Sequence, residues 1–393
     1  MTLSFSSINL FDYLAEITLV EAILLAIFIV ALVVQVYMYL HFYTGIIRHK
    51  KRIKKQLIVT NKEQPPVSVV ICAKNESENL AMFLPLVLEQ NYPEYEVIVV
   101  NDGSTDETEL LLKKLRERYP HLYCTYMPEK TEIISRKKLA LTIGIKAAKN
   151  ELLLLTDADC RPFSPFWIAE MVRSFTPNTE FVLGYGAYLP EKGFLSHLIS
   201  YDTLFIAMQY MGFAFRGTPY MGIGRNLGYR RETFFRNKGF AGTLHIASGD
   251  DDLLVNMAAT STNTNIVSVA AGVTQSIPKT TFRSWYHQKE RHLTTAPLYN
   301  KRSKLMVSIE PLSRGLFYLT LIALLFFANP TVWITVGSLF LLRYILQLII
   351  INKTASQLKE RSFYSTILIF DIILPVITLF LVLFGRKKSF SWK

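Results

Sequence analysis

Charge and cysteine are both scarce in this chain. Only 19% of its 393 residues are Asp, Glu, Lys or Arg, while 50% are apolar. A soluble protein of this length ordinarily carries more charge, so part of the apolar surplus is expected to face lipid. The three cysteines, Cys72, Cys124 and Cys160, are odd in number and far apart. That spacing supports neither a disulfide framework nor a thiolate metal site, and fits buried free thiols in a reducing compartment. No G-x-G-x-x-G follows the first strand-like run, and no G-x-x-x-x-G-K-[ST] occurs. A dinucleotide-binding domain and a phosphate-loop NTPase are therefore disfavoured.

The charge that is present sits unevenly. The formal net charge is +12; Arg48, Lys50, Lys51, Arg52, Lys54 and Lys55 form one basic block and Arg386, Lys387 and Lys388 another. Neither is a basic face interleaved with aromatic rings, so no nucleic-acid partner is expected. Basic blocks that border apolar runs set membrane topology and meet anionic headgroups.

Residues 22–43 read AILLAIFIVALVVQVYMYLHFY, uncharged over about the length of a bilayer crossing. Asp12, Glu16 and Glu21 precede this run, which argues against a cleaved signal peptide. Acid before and base after place its C-terminal end in the cytoplasm. Three more spans are expected, at 315–328, 331–351 and 363–384, broken by Asn329-Pro330 and by a polar loop at 352–362. Arg343 and Asp371 lie inside them, where charge is costly unless it is paired or lines a cavity. Four spans put the C-terminus outside, in conflict with its basic block. The expected layout is an N-terminal segment 1–47, a cytosolic catalytic domain 48–311 and a membrane region 312–393. The chain is expected as an integral protein of a bacterial inner membrane.

Between the anchors the pattern alternates. VSVVIC (67–72), YEVIVV (95–100), LYCTYM (122–127) and ELLLLT (151–156) read as strands, with helices at 77–90, 106–118 and 136–148 between them. This rhythm predicts an α/β domain with a mostly parallel sheet covered on both faces, whose ligands bind at the carboxyl ends of the strands. Asn75 and Glu76, then Asp102, then Asp157 and Asp159 fall at three of those ends. Two aspartates one residue apart can reach one small volume and hold a hard divalent cation, Mg²⁺ or Mn²⁺, with positions left for phosphates. The run 194–215 is apolar enough to invite a fifth span, but His197 and Asp202 and the continuity of the site favour an interfacial or core helix. Residues 302–313 are read as a second interfacial helix.

Five motifs are familiar in this order. VSVVICAKNESENL, VIVVNDGSTDET, LLLLTDADC, GIGRNLGYRRETFF with SGDDDLLV, and HQKERH resemble family 2 glycosyltransferases of GT-A fold, in the membrane-bound branch. The resemblance covers about 65–300. It implies that Lys74, Asn75, Glu76 and Asp102 hold the base and ribose of a nucleotide-sugar, with UDP expected, and that Lys137 lies near the nucleotide. Asp157 would meet ribose or metal, Asp159 the metal. Asp251 would be the general base, with Asp250 in reserve. Gln288 and Arg291 match the Gln-x-x-Arg-Trp motif of processive synthases and would approach the diphosphate. His292 stands where those enzymes have tryptophan, which bears on processivity more than on transfer. Gly224, Asn226 and His292 would border the donor sugar and the acceptor, a membrane lipid or glycan.

Overall fold

The computed structural model describes residues 17–127, 135–327 and 329–384. Asp12, Glu16 and the 386–388 block lie outside the described residues.

Seven strands form the main sheet in the order β3-β2-β1-β4-β8-β6-β9. They are β1 Val67–Ala73, β2 Tyr95–Asn101, β3 Leu122–Tyr126, β4 Leu152–Leu155, β6 Phe181–Leu183, β8 Leu227–Arg230 and β9 Thr264–Ile266. β8 is antiparallel to both neighbours, and every other pairing is parallel. The continuous apolar runs are buried along their whole length in β1 and β4, as strands covered on both faces must be. Their side chains alternate between two cores. Val67, Val69, Val97, Val99, Leu152 and Leu154 meet the helices Ser77–Leu88 and Thr108–Arg118. Val70, Cys72, Ile98, Val100, Leu153 and Leu155 meet Arg136–Ala147 and Phe194–Phe215. A second sheet joins β5 Cys160–Pro162, β10 Thr274–Ser276 and β7 Gly186–Tyr188.

Four helices among the described residues are long and apolar enough to cross a membrane: Leu19–Lys54, Lys301–Leu325, Pro330–Leu358 and Ile367–Phe384. In the first, Glu21 closes a capping box with Thr18, and a π-turn at Tyr39–Tyr43 leads into Gly45–Lys54. Two expected boundaries move. The separate helix at 302–313 and span at 315–328 are one helix, Lys301–Leu325, which continues through Pro311. Its polar residues Glu310, Ser313 and Arg314 are buried against other spans rather than turned to a headgroup layer. The loop expected at 352–362 is helical as far as Leu358, because Asn352, Thr354 and Ala355 pack inside the protein and do not face water. Asn329 lies between Lys301–Leu325 and Pro330–Leu358, and its side chain caps the second by accepting from the amides of Thr331 and Val332.

Phe194–Phe215 is a core helix. It lies between the sheet and the spans and is buried at most positions. Its crossing with the first anchor needs bare backbone: a Cβ on Gly45 would stand 2.7 Å from Gly212 Cα, and one on Gly212 would stand 2.3 Å from the Phe42 carbonyl oxygen. One hydrophobic core therefore runs from the sheet through this helix to Ile350, Phe363 and Phe370.

The intramembrane charges are paired. Arg343 meets Asp371 at 2.7 Å and Arg314 meets it at 3.3 Å, while Arg314 also reaches Glu310 at 3.1 Å. Gln35 accepts from Arg343 and Gln347 donates to Asp371, so all four apolar helices share one polar knot. Beyond it the turn after Leu358 enters the catalytic domain. Glu360 accepts from the buried Tyr185 hydroxyl (2.9 Å), and Arg361 donates to the Glu191 carbonyl oxygen.

Candidate active site

The carboxyl end of β1 opens into Lys74, Asn75 and Glu76. Asn75 adopts φ +53° and is held by neighbours, its amide donating to Ser104 Oγ and its Oδ1 accepting from Thr105 N. Glu76 accepts from the side-chain amide of Asn79, three residues on. One strand over, Asp102 is fully buried and accepts from Arg136 Nε at 2.8 Å, with Lys74 Nζ 3.9 Å from its other oxygen. That other oxygen has no hydrogen-bond partner among the described residues. A buried carboxylate oxygen left open at a strand end suits a donor from a ligand.

At the end of β4, Asp157 and Asp159 bring carboxylate oxygens within 4.8 Å of each other and of Cys160 Sγ. Burial pushes the Cys160 thiol well above its usual range, so it stays protonated and is a poor partner for a hard cation. The donor set that fits Mg²⁺ or Mn²⁺ is thus the two aspartates. Burial and then Asp157 raise Asp159 above the carboxylate range, with Arg225 opposing. Two acids that repel in this way are relieved by a cation.

Lys137 joins the two halves of the site. Its Nζ stands 3.2 Å from Asp157 and 2.9 Å from Asp250. Burial opposes its charge, but Asp157, Asp250 and Asp251 outweigh burial and hold the ammonium well above the usual lysine range. Lys137 reaches this point because it opens the helix Arg136–Ala147, directly after Arg136.

The aspartate triplet follows Gly249, whose φ of +87° is open to glycine and strained for other residues. Its three side chains separate. Asp250 turns to Lys137, which keeps its carboxyl below the usual range against the effect of burial. Asp252 accepts from Thr295 and Tyr299, tying down the chain after the helix Phe282–Leu293. Asp251 accepts from the Gly224 amide at 2.5 Å and from Asp252 N at 2.8 Å. Burial, then the charges of Asp250 and Asp252, push it up to about 7. A carboxylate poised there is suited to take a proton near neutral pH.

The last motif lies on Phe282–Leu293. Gln288 donates to the Tyr188 hydroxyl (3.1 Å), the Arg291 carbonyl oxygen accepts from Ser248 Oγ, and His292 at the helix end lies within electrostatic reach of Arg225 and Lys137. The His292 side chain is exposed to solvent, yet desolvation within the cleft and then the charges of Arg291, Lys289, Arg225 and Lys137 lower its imidazole below the usual range. It is therefore neutral and available to hydrogen-bond at ordinary pH.

Asn226 is a correction to the sequence reading. It is fully buried; its Nδ2 donates to the carbonyl oxygens of Tyr185 and Gly272, and its Oδ1 accepts from Trp167 Nε1. Nothing is left for a sugar hydroxyl, so Asn226 braces the segment that carries Gly224. Two cations were missed. Arg136 pairs with Asp102, and Arg225 lies over the Tyr188 ring at 4.2 Å while acting electrostatically on Asp159 and Asp157. The sequence did offer a signal, since each is adjacent or next-but-one to a residue already singled out.

A sheet with one antiparallel strand, carboxylates gathered at its carboxyl edge and a cation between them define the GT-A class of nucleotide-sugar folds. Residues 68–235 match the family model described as Glycosyl transferase family 2. A poly-beta-1,6-N-acetyl-D-glucosamine synthase of Staphylococcus epidermidis is 30% identical over 125 residues, 31% of this chain and 29% of that protein. The glycosyltransferase AglE of Haloferax volcanii is 34% identical over 138 residues, 33% of this chain and 44% of that one. The matches thus span less than half of these relatives. A mannosyltransferase of Pyrobaculum calidifontis, solved with GDP-Man and Mn²⁺, has the same fold: TM-score 0.56 and 19% identity over 91% of this chain and 99% of that one.

Proposed function

We propose that the protein is an inverting, metal-dependent glycosyltransferase that moves a sugar from a nucleotide-sugar to a lipid or glycan at the membrane surface. The observation that carries this is the bridge from Asp157 through Lys137 to Asp250, beside Asp251. It gathers the cation site, the diphosphate site and a base in one cleft. Asp159 and Asp157 would hold Mg²⁺ or Mn²⁺, which would offset charge on the diphosphate. Asp102, Lys74 and Arg136 form the nucleotide end with Asn75 and Glu76. Lys137, Arg225, Gln288 and Arg291 surround the diphosphate.

Asp251 takes the proton of an acceptor hydroxyl as that oxygen forms its bond to the anomeric carbon. The bond from that carbon to the nucleoside diphosphate breaks, and the diphosphate leaves with the electron pair. A single base and one displacement invert the anomeric centre. UDP is the donor nucleotide favoured by the motifs, with GDP the alternative raised by the mannosyltransferase of like fold. The catalytic domain is placed in the cytoplasm, since the basic block 48–55 closes the first span.

Processive polymer synthesis is the second reading. It is favoured by Gln288 and Arg291, and by likeness to a protein named as a polymer synthase. One experiment addresses both readings. Purified protein is supplied with UDP- and GDP-sugars, with and without Mn²⁺, and the extracted product is weighed by mass spectrometry. One added sugar supports single transfer and a ladder supports polymerisation; no metal-dependent turnover with any donor would reject the proposal.

A further inference from the structure

Three guanidinium groups share one region at the end of the first apolar span. Arg48 and Arg52 stand one helical turn apart on Gly45–Lys54 and are exposed. Arg216 follows Phe194–Phe215 and is half-buried, with its Nε donating to the His41 carbonyl oxygen at 2.8 Å. The guanidinium carbons of Arg52 and Arg216 lie 5.2 and 5.6 Å from the centroid of one ring, Phe215. Among the described residues no carboxylate forms an ion pair with any of the three. Burial, then Arg48 and Arg52, depress the charged form of Arg216. Like charges gathered without a counter-ion make a site for an anion.

Its depth indicates which anion. The helix Leu19–Met38 rises about 30 Å, the thickness of a bilayer core. The end of this helix and the next turn carry aromatic side chains, Tyr37 stacked on His41 at 5.0 Å and Phe42 against Phe213 at 4.5 Å. Such rings gather at headgroup level.

We infer that Arg48, Arg52 and Arg216 form a discrete site for the phosphate of an anionic phospholipid, wedged between the first span and the catalytic domain. Guanidinium forks match phosphate oxygens in pairs, and the Phe215 ring fixes two of them in place. The lipid is thereby separated from the diffuse attraction of Lys50, Lys51, Lys54 and Lys55. It joins the two elements that meet at Gly45 and Gly212. The inference rests on the first helix crossing a bilayer and is independent of sugar transfer.

The test uses the full chain in phosphatidylcholine nanodiscs with a rising fraction of phosphatidylglycerol, and reads the thermal midpoint. The midpoint is expected to climb and saturate. Arg216→Gln should raise the half-saturating fraction about tenfold, equivalent to about 1.4 kcal/mol. Arg52→Gln, at an exposed position, should do likewise without touching the His41 contact. Lys55→Gln should shift it less than about twofold, since it contributes only to the general field. Equal shifts for Arg216→Gln and Lys55→Gln would replace the site with that general field. The same saturation from inorganic phosphate in pure phosphatidylcholine would remove the lipid, and no dependence on phosphatidylglycerol would end the idea.

Discussion

Asp251 differs from its two neighbours by what it touches. Asp250 has a lysine and Asp252 has two hydroxyls, whereas Asp251 has only backbone amides. Asp251→Asn should lower turnover by about 10²–10⁴-fold, with donor affinity by calorimetry almost unchanged. The wild-type rate should rise with pH through about 7, because only the ionised form accepts a proton. Stability follows the opposite sign. A carboxyl whose pKa is raised on folding binds more protons folded than unfolded, so stability falls as pH rises from the ordinary aspartate range to about 7 and levels off above it. At pH 8, Asp251→Asn should therefore melt higher than wild type; a lower midpoint would show the side chain to be a helix cap above all. Arg136→Gln should weaken nucleotide binding and lower the melting point together, since it strips the main partner from a fully buried carboxylate. The acids at strand ends were legible because apolar runs stop abruptly at them. Asn226 was misread because a fully satisfied buried amide and a sugar ligand look alike in sequence, and only the carbonyls of Tyr185 and Gly272 distinguish them.

Among the elements, the turn after Leu358 has the least visible role in the sequence and a large one in the fold. Glu360 reaches Tyr185, which adjoins β7 with Tyr188, and Tyr188 meets Arg225 and Gln288. Tyr185→Phe and Glu360→Ala should each raise the donor KM more than they lower kcat. The double variant should be no worse than the poorer single one. Additive losses in a double-mutant cycle would show that the two side chains act separately. The first four strands could be read from apolar runs, with ends shifted by a residue or so, and β1 and β4 are buried along their observed length. Helix ends around the membrane could not, because Glu310, Arg314, Asn352 and Thr354 look like loop or interface residues until the fold shows them buried with their partners.

For the whole molecule, the buried knot of Arg314, Arg343, Asp371 and Glu310 is where stability is most exposed to a single change. Asp371→Asn leaves two buried guanidinium groups short of charge and should cost about 3–5 kcal/mol. Denaturation in detergent would register it. Replacing Arg343 and Asp371 together by apolar residues of similar volume should recover part of that loss, and no recovery would mean that packing, not charge, was disturbed.

The bare-backbone crossing of Gly45 and Gly212 has a consequence for choice of substrate. The cleft is fastened to its anchor at one end by that contact and at the other by the turn after Leu358. The two contacts hold the cleft at a set distance from the apolar helices, so under the proposed function an acceptor hydroxyl would be selected by how far its carrier projects rather than by the rest of that carrier.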